Sequence, residues 1–223
     1  MEKKNFEEIA GLWLADKKLY VKRATYAVYS LMLVNHLVPE FGRKNEVTEE
    51  MVQDFVLRKM ESGLSRKSVK DMLIVLKMVL RYAEKCGHMP HREIEVRFPT
   101  EREKPEVKVL SRSLQKRIMK HVQLHPSCMN LGIYICLCAG LRIGEVCALK
   151  WEDIDLSAGV INITKTIQRI YVVEEGEKHT ELIIGTPKTA TSMRRIPIPR
   201  ELRKMLRPFL TGVDSSAYVL PNS

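Results

Sequence analysis

Ala139-Gly140-Leu141-Arg142-Ile143-Gly144-Glu145-Val146-Cys147-Ala148-Leu149-Lys150-Trp151-Glu152-Asp153-Ile154-Asp155 is the stretch that decides the fold. It reads as a turn at Gly140-Leu141, a short helix opening near Arg142, and an acidic start to a strand. Arg142 is a lone cation in an otherwise apolar run, and burying a guanidinium is costly without an anionic partner. A helix N-terminus favours anions through its free N–H groups. Arginine adds a planar fork that matches phosphate oxygens two at a time. Two readings stand at this point. Either Arg142 grips a phosphate while Glu145 orients it, or Arg142 and Glu145 form a structural ion pair.

Upstream of this stretch, the apolar run Cys128 to Ala139 predicts a buried helix, and Ser111 caps another reaching to about Gln123. Downstream, Gly159 to Thr164 alternates as a strand, as does the segment around Ile170 to Val173. Glu174 to Glu177 reads as a loop, and Thr180 to Gly185 as a returning strand. Arg194 to Ile198 is a short third strand whose proline suits an edge. A last helix starts at Pro199-Arg200-Glu201 and runs to about Leu210. Residues 5–86 read as four helices instead. The second of them starts near Thr25 and is expected to stop at Pro39, which cannot continue a helix. The third opens at Thr48-Glu49-Glu50 and the fourth at Ser65. Residues 87–105 hold Gly87, Pro90, Pro99 and Pro105 among dense charge, and read as a linker. The expected organisation is a helical domain over 1–86, a linker over 87–105 and a mixed domain over 106–223. The fold class is mainly α with a small antiparallel sheet.

The 223 residues carry a net charge of +10 and are 45% hydrophobic, so the chain can bury a core and present a basic surface. The excess is shared: residues 1–105 carry net +4 and residues 106–223 net +6. A basic balance in both halves suits a polyanion that touches both. The expected contacts are Arg66, Lys67 and Lys70 at the start of the fourth helix, with Arg43 and Lys44 in the turn before the third. Cys86, Cys128, Cys136, Cys138 and Cys147 show no zinc-type spacing and read as reduced thiols, which fits a cytoplasmic location. The charged first residues do not resemble a secretory signal, and no apolar run approaches the roughly 18 residues of a membrane span. His121 and His125 are four apart but lack the glutamate of a metalloprotease motif, so no metal is expected. Lys188 lies in the polar loop Gly185 to Arg195 between two strands, where it can reach a bound backbone and donate a proton.

Together these segments resemble the tyrosine recombinases, the phage-type integrases. Ala139 to Asp155 resembles their first arginine box. Thr186-Pro187-Lys188-Thr189 followed by Arg195-Ile196-Pro197-Ile198 resembles their β-hairpin lysine segment. Thr25-Tyr26, His36-Leu37-Val38-Pro39 with Gly42, and Gly63-Leu64-Ser65 with its long helix are similar to their core-binding domain. The resemblance implies an all-α core-binding domain followed by the first part of an α+β catalytic domain. It implies double-stranded DNA as partner, and a tyrosine that attacks the scissile phosphate to form a 3′-phosphotyrosyl link without metal or cofactor. Arg142 would stabilise charge on the phosphate oxygens, with Glu145 supporting it. Lys188 would protonate the leaving oxygen.

The family also has a His-x-x-Arg box and a nucleophilic tyrosine downstream of the hairpin. Three residues after the six histidines come Pro39, His91, Ile94, Leu124, Cys128 and Leu182, none of them arginine. Tyr218 lies in a segment resembling the piece before that box and reads as a packing residue, so no nucleophile is expected in this chain. The expectation is a C-terminally truncated recombinase with exposed apolar surface on its second half, prone to self-association or to pairing with an intact recombinase. The alternative is a non-catalytic DNA-binding accessory protein that occupies recombination sites. A helical transcriptional regulator finds no support in the strand-rich second half.

Overall fold

Asn5, Thr48 and Ser65 each turn a side-chain oxygen onto the backbone N–H three residues on, and a helix follows each of them. These are α1 (Phe6–Lys18), α4 (Glu49–Glu61) and α5 (Arg66–Lys85). The computed structural model describes residues 3–100, 109–174, 177–187 and 192–221, with the main chain alone at Glu174. The chain divides into two units, Met1–Pro105 with Ile170–Glu181, and Glu106–Arg169 with Leu182–Ser223.

In the first unit, α2 (Arg23–Met32) does not end at Pro39. A π-turn over Leu33–Leu37 carries it into α3 (Val38–Phe41). The N–H of Val38 reaches back five residues to the Leu33 carbonyl. Widening the helix in this way relieves the clash of the proline ring with the turn before it. The expected stop at Pro39 is therefore corrected to Phe41. The core is built from one face of each helix. Phe41 lies between Phe6 and Phe55, at ring separations of 5.8 and 5.4 Å. Val69, Leu76, Val79 and Ala83 of α5 close it at helical spacing. Residues 87–98, expected as a linker, form no helix or strand but bury Met89 and Ile94 in this same core.

The second unit begins with α6 (Arg112–Leu124) and α7 (Cys128–Ala139). Gly140 ends α7 at φ +63, a left-handed conformation that glycine adopts without strain. The chain then makes α8 (Ile143–Cys147), a short 3₁₀ turn over Trp151–Asp153, and the strands β1 (Ile154–Asp155) and β2 (Val160–Ile163). β3 (Thr166–Glu174) and β4 (Glu177–Gly185) follow, their residues Ile170–Glu181 counted with the first unit, and then come β5 (Arg194–Pro197) and α9 (Arg200–Leu210). β1, β2 and β5 form an antiparallel sheet in that order, with Ile161 opposite Ile196 and Ile163 opposite Arg194. The proline-bearing β5 is thus an edge. β3 and β4 make a separate two-stranded ribbon. Leu131, Tyr134, Ile135, Ile161, Ile163, Leu202 and Leu206 are the centre of this core. Residues 215–219 run back along 149–152, where the N–H of Val219 bonds the Leu149 carbonyl at 2.9 Å. Leu124, Met129 and Ile143 remain exposed apolar residues of this unit.

Candidate functional site

Arg142 is the residue just before α8, in extended conformation, and Glu145 lies in the first turn of that helix. The Glu145 carboxylate is 3% exposed and accepts four short bonds. The Arg142 backbone N–H and its Nη1 donate to it at 2.9 Å each. Nη1 and Nη2 of Arg194, from β5, also donate at 2.9 Å each. Glu145 is therefore buried between two guanidinium groups. The Arg142 side chain itself is 72% exposed. This corrects the expectation that its charge sits in an apolar interior: the chain buries the carboxylate and leaves the arginine outside. Because α8 is only five residues long, its dipole adds little, and the pull on an anion comes from the guanidinium itself.

Gly144 lets α8 come this close to β3. A Cβ there would lie 2.6 Å from the Ile167 carbonyl oxygen and 2.6 Å from Thr166 Oγ1. The strand holds its place only because residue 144 has no side chain.

The bonds from Arg194 lead in holding the Glu145 carboxyl at about 2, aided by the backbone and side chain of Arg142 and opposed by burial. Glu145 in turn raises the Arg194 guanidinium further. The folded-state value of Glu145 lies below its unfolded one of 4.5, so its contribution is complete above that value and disappears as pH falls through about 2. In a Trp13→Phe background, urea midpoints followed by Trp151 fluorescence should fall across this window, and Glu145→Gln should flatten the fall. An unchanged pH profile in the variant would contradict the linkage.

Arg194 has no role in the sequence reading, although a signal for it was present. Strand alternation places it on the same face as Ile196, which packs against the second core. A cation on an apolar strand face needs a counter-charge, and Glu145, 49 positions away, supplies it.

The other expected residues belong to other elements. Lys188 lies outside the described residues. Arg66, Lys67 and Lys70 occupy the first turns of α5, where Lys67 is paired with Asp71 at 2.9 Å. Arg43 and Lys44 are exposed in the turn after α3. Tyr218 bridges to the backbone of Lys150, whose Nζ lies 5.6 Å from the tyrosine ring centre, as suits a packing residue. His121 and His125 stack with ring centres 4.3 Å apart. Among the described residues no three acidic, histidine or cysteine side chains come together as a metal site. No helix among them is long and apolar enough to cross a membrane.

The sequence pattern of the Phage integrase family matches residues 108–223, which contain Arg142, Glu145 and Arg194. The chain belongs to the phage integrase family. The pattern described as phage integrase, N-terminal SAM-like domain, matches residues 5–60, from the cap of α1 into α4. The chain is thus a tyrosine recombinase by family, as the Arg142 stretch implied. It is similar to the tyrosine recombinase XerC-like protein of Caldanaerobacter subterraneus subsp. tengcongensis, 26% identical over 211 residues, which are 90% of this chain and 54% of that protein. It is similar to the ICEBs1 integrase of Bacillus subtilis, 28% identical over 212 residues, 91% of this chain and 53% of that protein. The chain spans about half the length of these curated relatives. The Tn1549 transposon integrase, solved in complex with transposon right end DNA, shares the fold with a TM-score of 0.76 at 20% identity, over 97% of this chain and 70% of that one. A lambda integrase tetramer bound to a Holliday junction aligns with a TM-score of 0.60 at 16% identity, over 93% of this chain and 54% of that one.

Proposed function

We propose that this chain binds double-stranded DNA and carries part of the active site of a site-specific recombinase of the integrase type. The observation that carries the reading is the exposed Arg142 fork, braced from beneath by a buried carboxylate that Arg194 also holds. One of its nitrogens is tied to Glu145, which sets the plane of the fork. The rest of the side chain faces outward, where the non-bridging oxygens of a backbone phosphate would gain charge during strand cleavage. Lys188 is the general acid for the leaving oxygen in this reading, and Glu145 is a positioning residue.

Residues 1–86 serve as the core-binding domain, 87–105 as the connection and 106–223 as part of the catalytic domain. Arg66, Lys67, Lys70, Arg43 and Lys44 are the backbone contacts of the first of these. No cofactor is needed, since a phosphotyrosyl link conserves the energy of the bond it replaces. All five cysteines are free thiols, which suits a cytoplasmic protein. The exposed Leu124, Met129 and Ile143 support self-association, and the lambda integrase tetramer offers a precedent for it.

A second reading, a DNA-binding accessory protein that occupies recombination sites or pairs with an intact recombinase, draws on one sequence observation. No histidine in these 223 residues is followed three places on by arginine. A duplex with a nicked, suicide-type site separates the two: a covalent adduct that survives boiling in detergent means chemistry, and retention without an adduct means binding alone.

The binding claim has its own test. Neutralising about five phosphates should give a slope near −4.5 for log affinity against log salt. An affinity that does not change with salt would remove the basic residues from the contact surface.

A further inference from the structure

Residues 87–98 are fastened to the helical unit along their length. Met89 and Ile94 are buried in its core. Between and beyond them, Glu84 holds His91 at 2.9 Å, Glu46 pairs with Arg92, and Glu49 accepts the N–H of Glu95 at 3.0 Å. Gln53 then imitates a strand partner: its amide donates to the Arg97 carbonyl at 2.9 Å and accepts the Arg97 N–H at 2.8 Å. The next residue is Phe98. Its ring lies under two cations of α5, with the Arg66 guanidinium carbon 5.0 Å and the Lys70 Nζ 5.6 Å from its centre.

The pairing is selective. Arg66 and Lys70 are four apart, on one helix face, where like charges repel. Among the described residues neither has a carboxylate partner, whereas Lys67 between them is paired with Asp71. A carboxylate would hold these side chains by cancelling their charge. An aromatic face holds them through its quadrupole and leaves the charge intact. Arg66 Nε is buried without a hydrogen-bond partner, and its burial keeps that edge from a ligand, so donation to one falls to the terminal nitrogens. Oriented but uncancelled cations are what a polyanion surface requires.

We propose that Phe98 is a positioning residue for DNA binding: the strap over residues 87–98 delivers its ring beneath Arg66 and Lys70 and holds both toward the phosphate backbone. This rests on the DNA-binding reading above. The test uses the full chain and a fluorescent duplex of mixed sequence. Phe98→Leu keeps an apolar contact and removes the aromatic face; Phe98→Tyr keeps the face. Phe98→Leu should weaken duplex binding about fivefold to tenfold, within the range of partly desolvated cation–π contacts. Phe98→Tyr should bind like the parent. In an Arg66→Ala, Lys70→Ala background, Phe98→Leu should change affinity no further.

In a Trp151→Phe background, the fluorescence of Trp13, in the core of the first unit, checks that the unit's unfolding midpoint is kept in Phe98→Leu. A parent chain that binds the duplex in a salt-sensitive way while Phe98→Leu binds equally well overturns the role of Phe98 alone. So does a Phe98→Leu loss that persists at full size in the double-alanine background, since the ring would then act on its own. A parent chain that fails to retain the duplex even at low salt overturns both readings.

Discussion

Glu145→Ala is expected to destabilise the second unit by about 3 kcal/mol, because it leaves two guanidinium groups facing each other with no anion between them. The carboxylate accepts bonds from Arg142 and Arg194 at once. The two arginines differ in what they can do next. Arg142 is largely exposed and recovers water, whereas Arg194 is 29% exposed and must keep part of its charge against the core. The cost therefore falls mainly on Arg194. Arg142→Ala, by contrast, should cost no more than about 1 kcal/mol, as for exposed ion pairs. The chain has two tryptophans, Trp13 in the first core and Trp151 in the second. In a Trp13→Phe background, urea unfolding followed at Trp151 reports the second unit. Equal midpoints for Glu145→Ala and its parent would show that the carboxylate is not the keystone described here.

Arg142→Lys is the other large effect, and it falls on chemistry. In a longer protein that carries this chain and cleaves DNA, strand cleavage should fall by about 10²–10³, the usual loss when a preorganised donor to a developing oxyanion is removed. Lysine keeps the positive charge but cannot both stay tied to Glu145 and present a second, coplanar donor. Duplex affinity should change less than threefold, roughly the effect of perturbing one phosphate contact among several. Single-turnover cleavage of a suicide duplex, measured beside binding, separates the two. Normal cleavage by the lysine variant would take Arg142 out of the reacting centre. A loss of binding as large as the loss of cleavage would make it an anchoring contact instead.

Much of the helical architecture was legible locally. Thr48, Ser65 and Ser111 announce their helices, and each side chain caps as its position implies. Cys128 to Ala139 begins and ends where its apolar run does, and the edge position of β5 follows from Pro197. Pro39 misleads because a proline's local effect is to end a helix. Whether the backbone can widen around it depends on packing on both sides, and here Leu33, Leu37 and Phe41 are all anchored in the core. Residues 87–98 were legible only in part. Proline and charge signal an absence of helix, which is correct, but they do not reveal that Gln53 and Glu49 of α4, and Glu46 in the loop before it, stand ready to bind the segment.

The candidate site divides in the same way. Arg142 and Glu145 were visible as a pair three residues apart across the start of one short helix, because that spacing alone brings them together. Hydrophobic period, caps and turn residues act within a few positions, so the chain by itself determined most of its helices and strands and the family to which it belongs. Arg194 reaching Glu145 from a distant strand, the outward placement of the Arg142 fork, and Phe98 beneath Arg66 and Lys70 were decided only by the tertiary structure. The two pairings join residues far apart in sequence, and the energy that selects such a pairing exists only once both surroundings have folded and excluded water from one side of it.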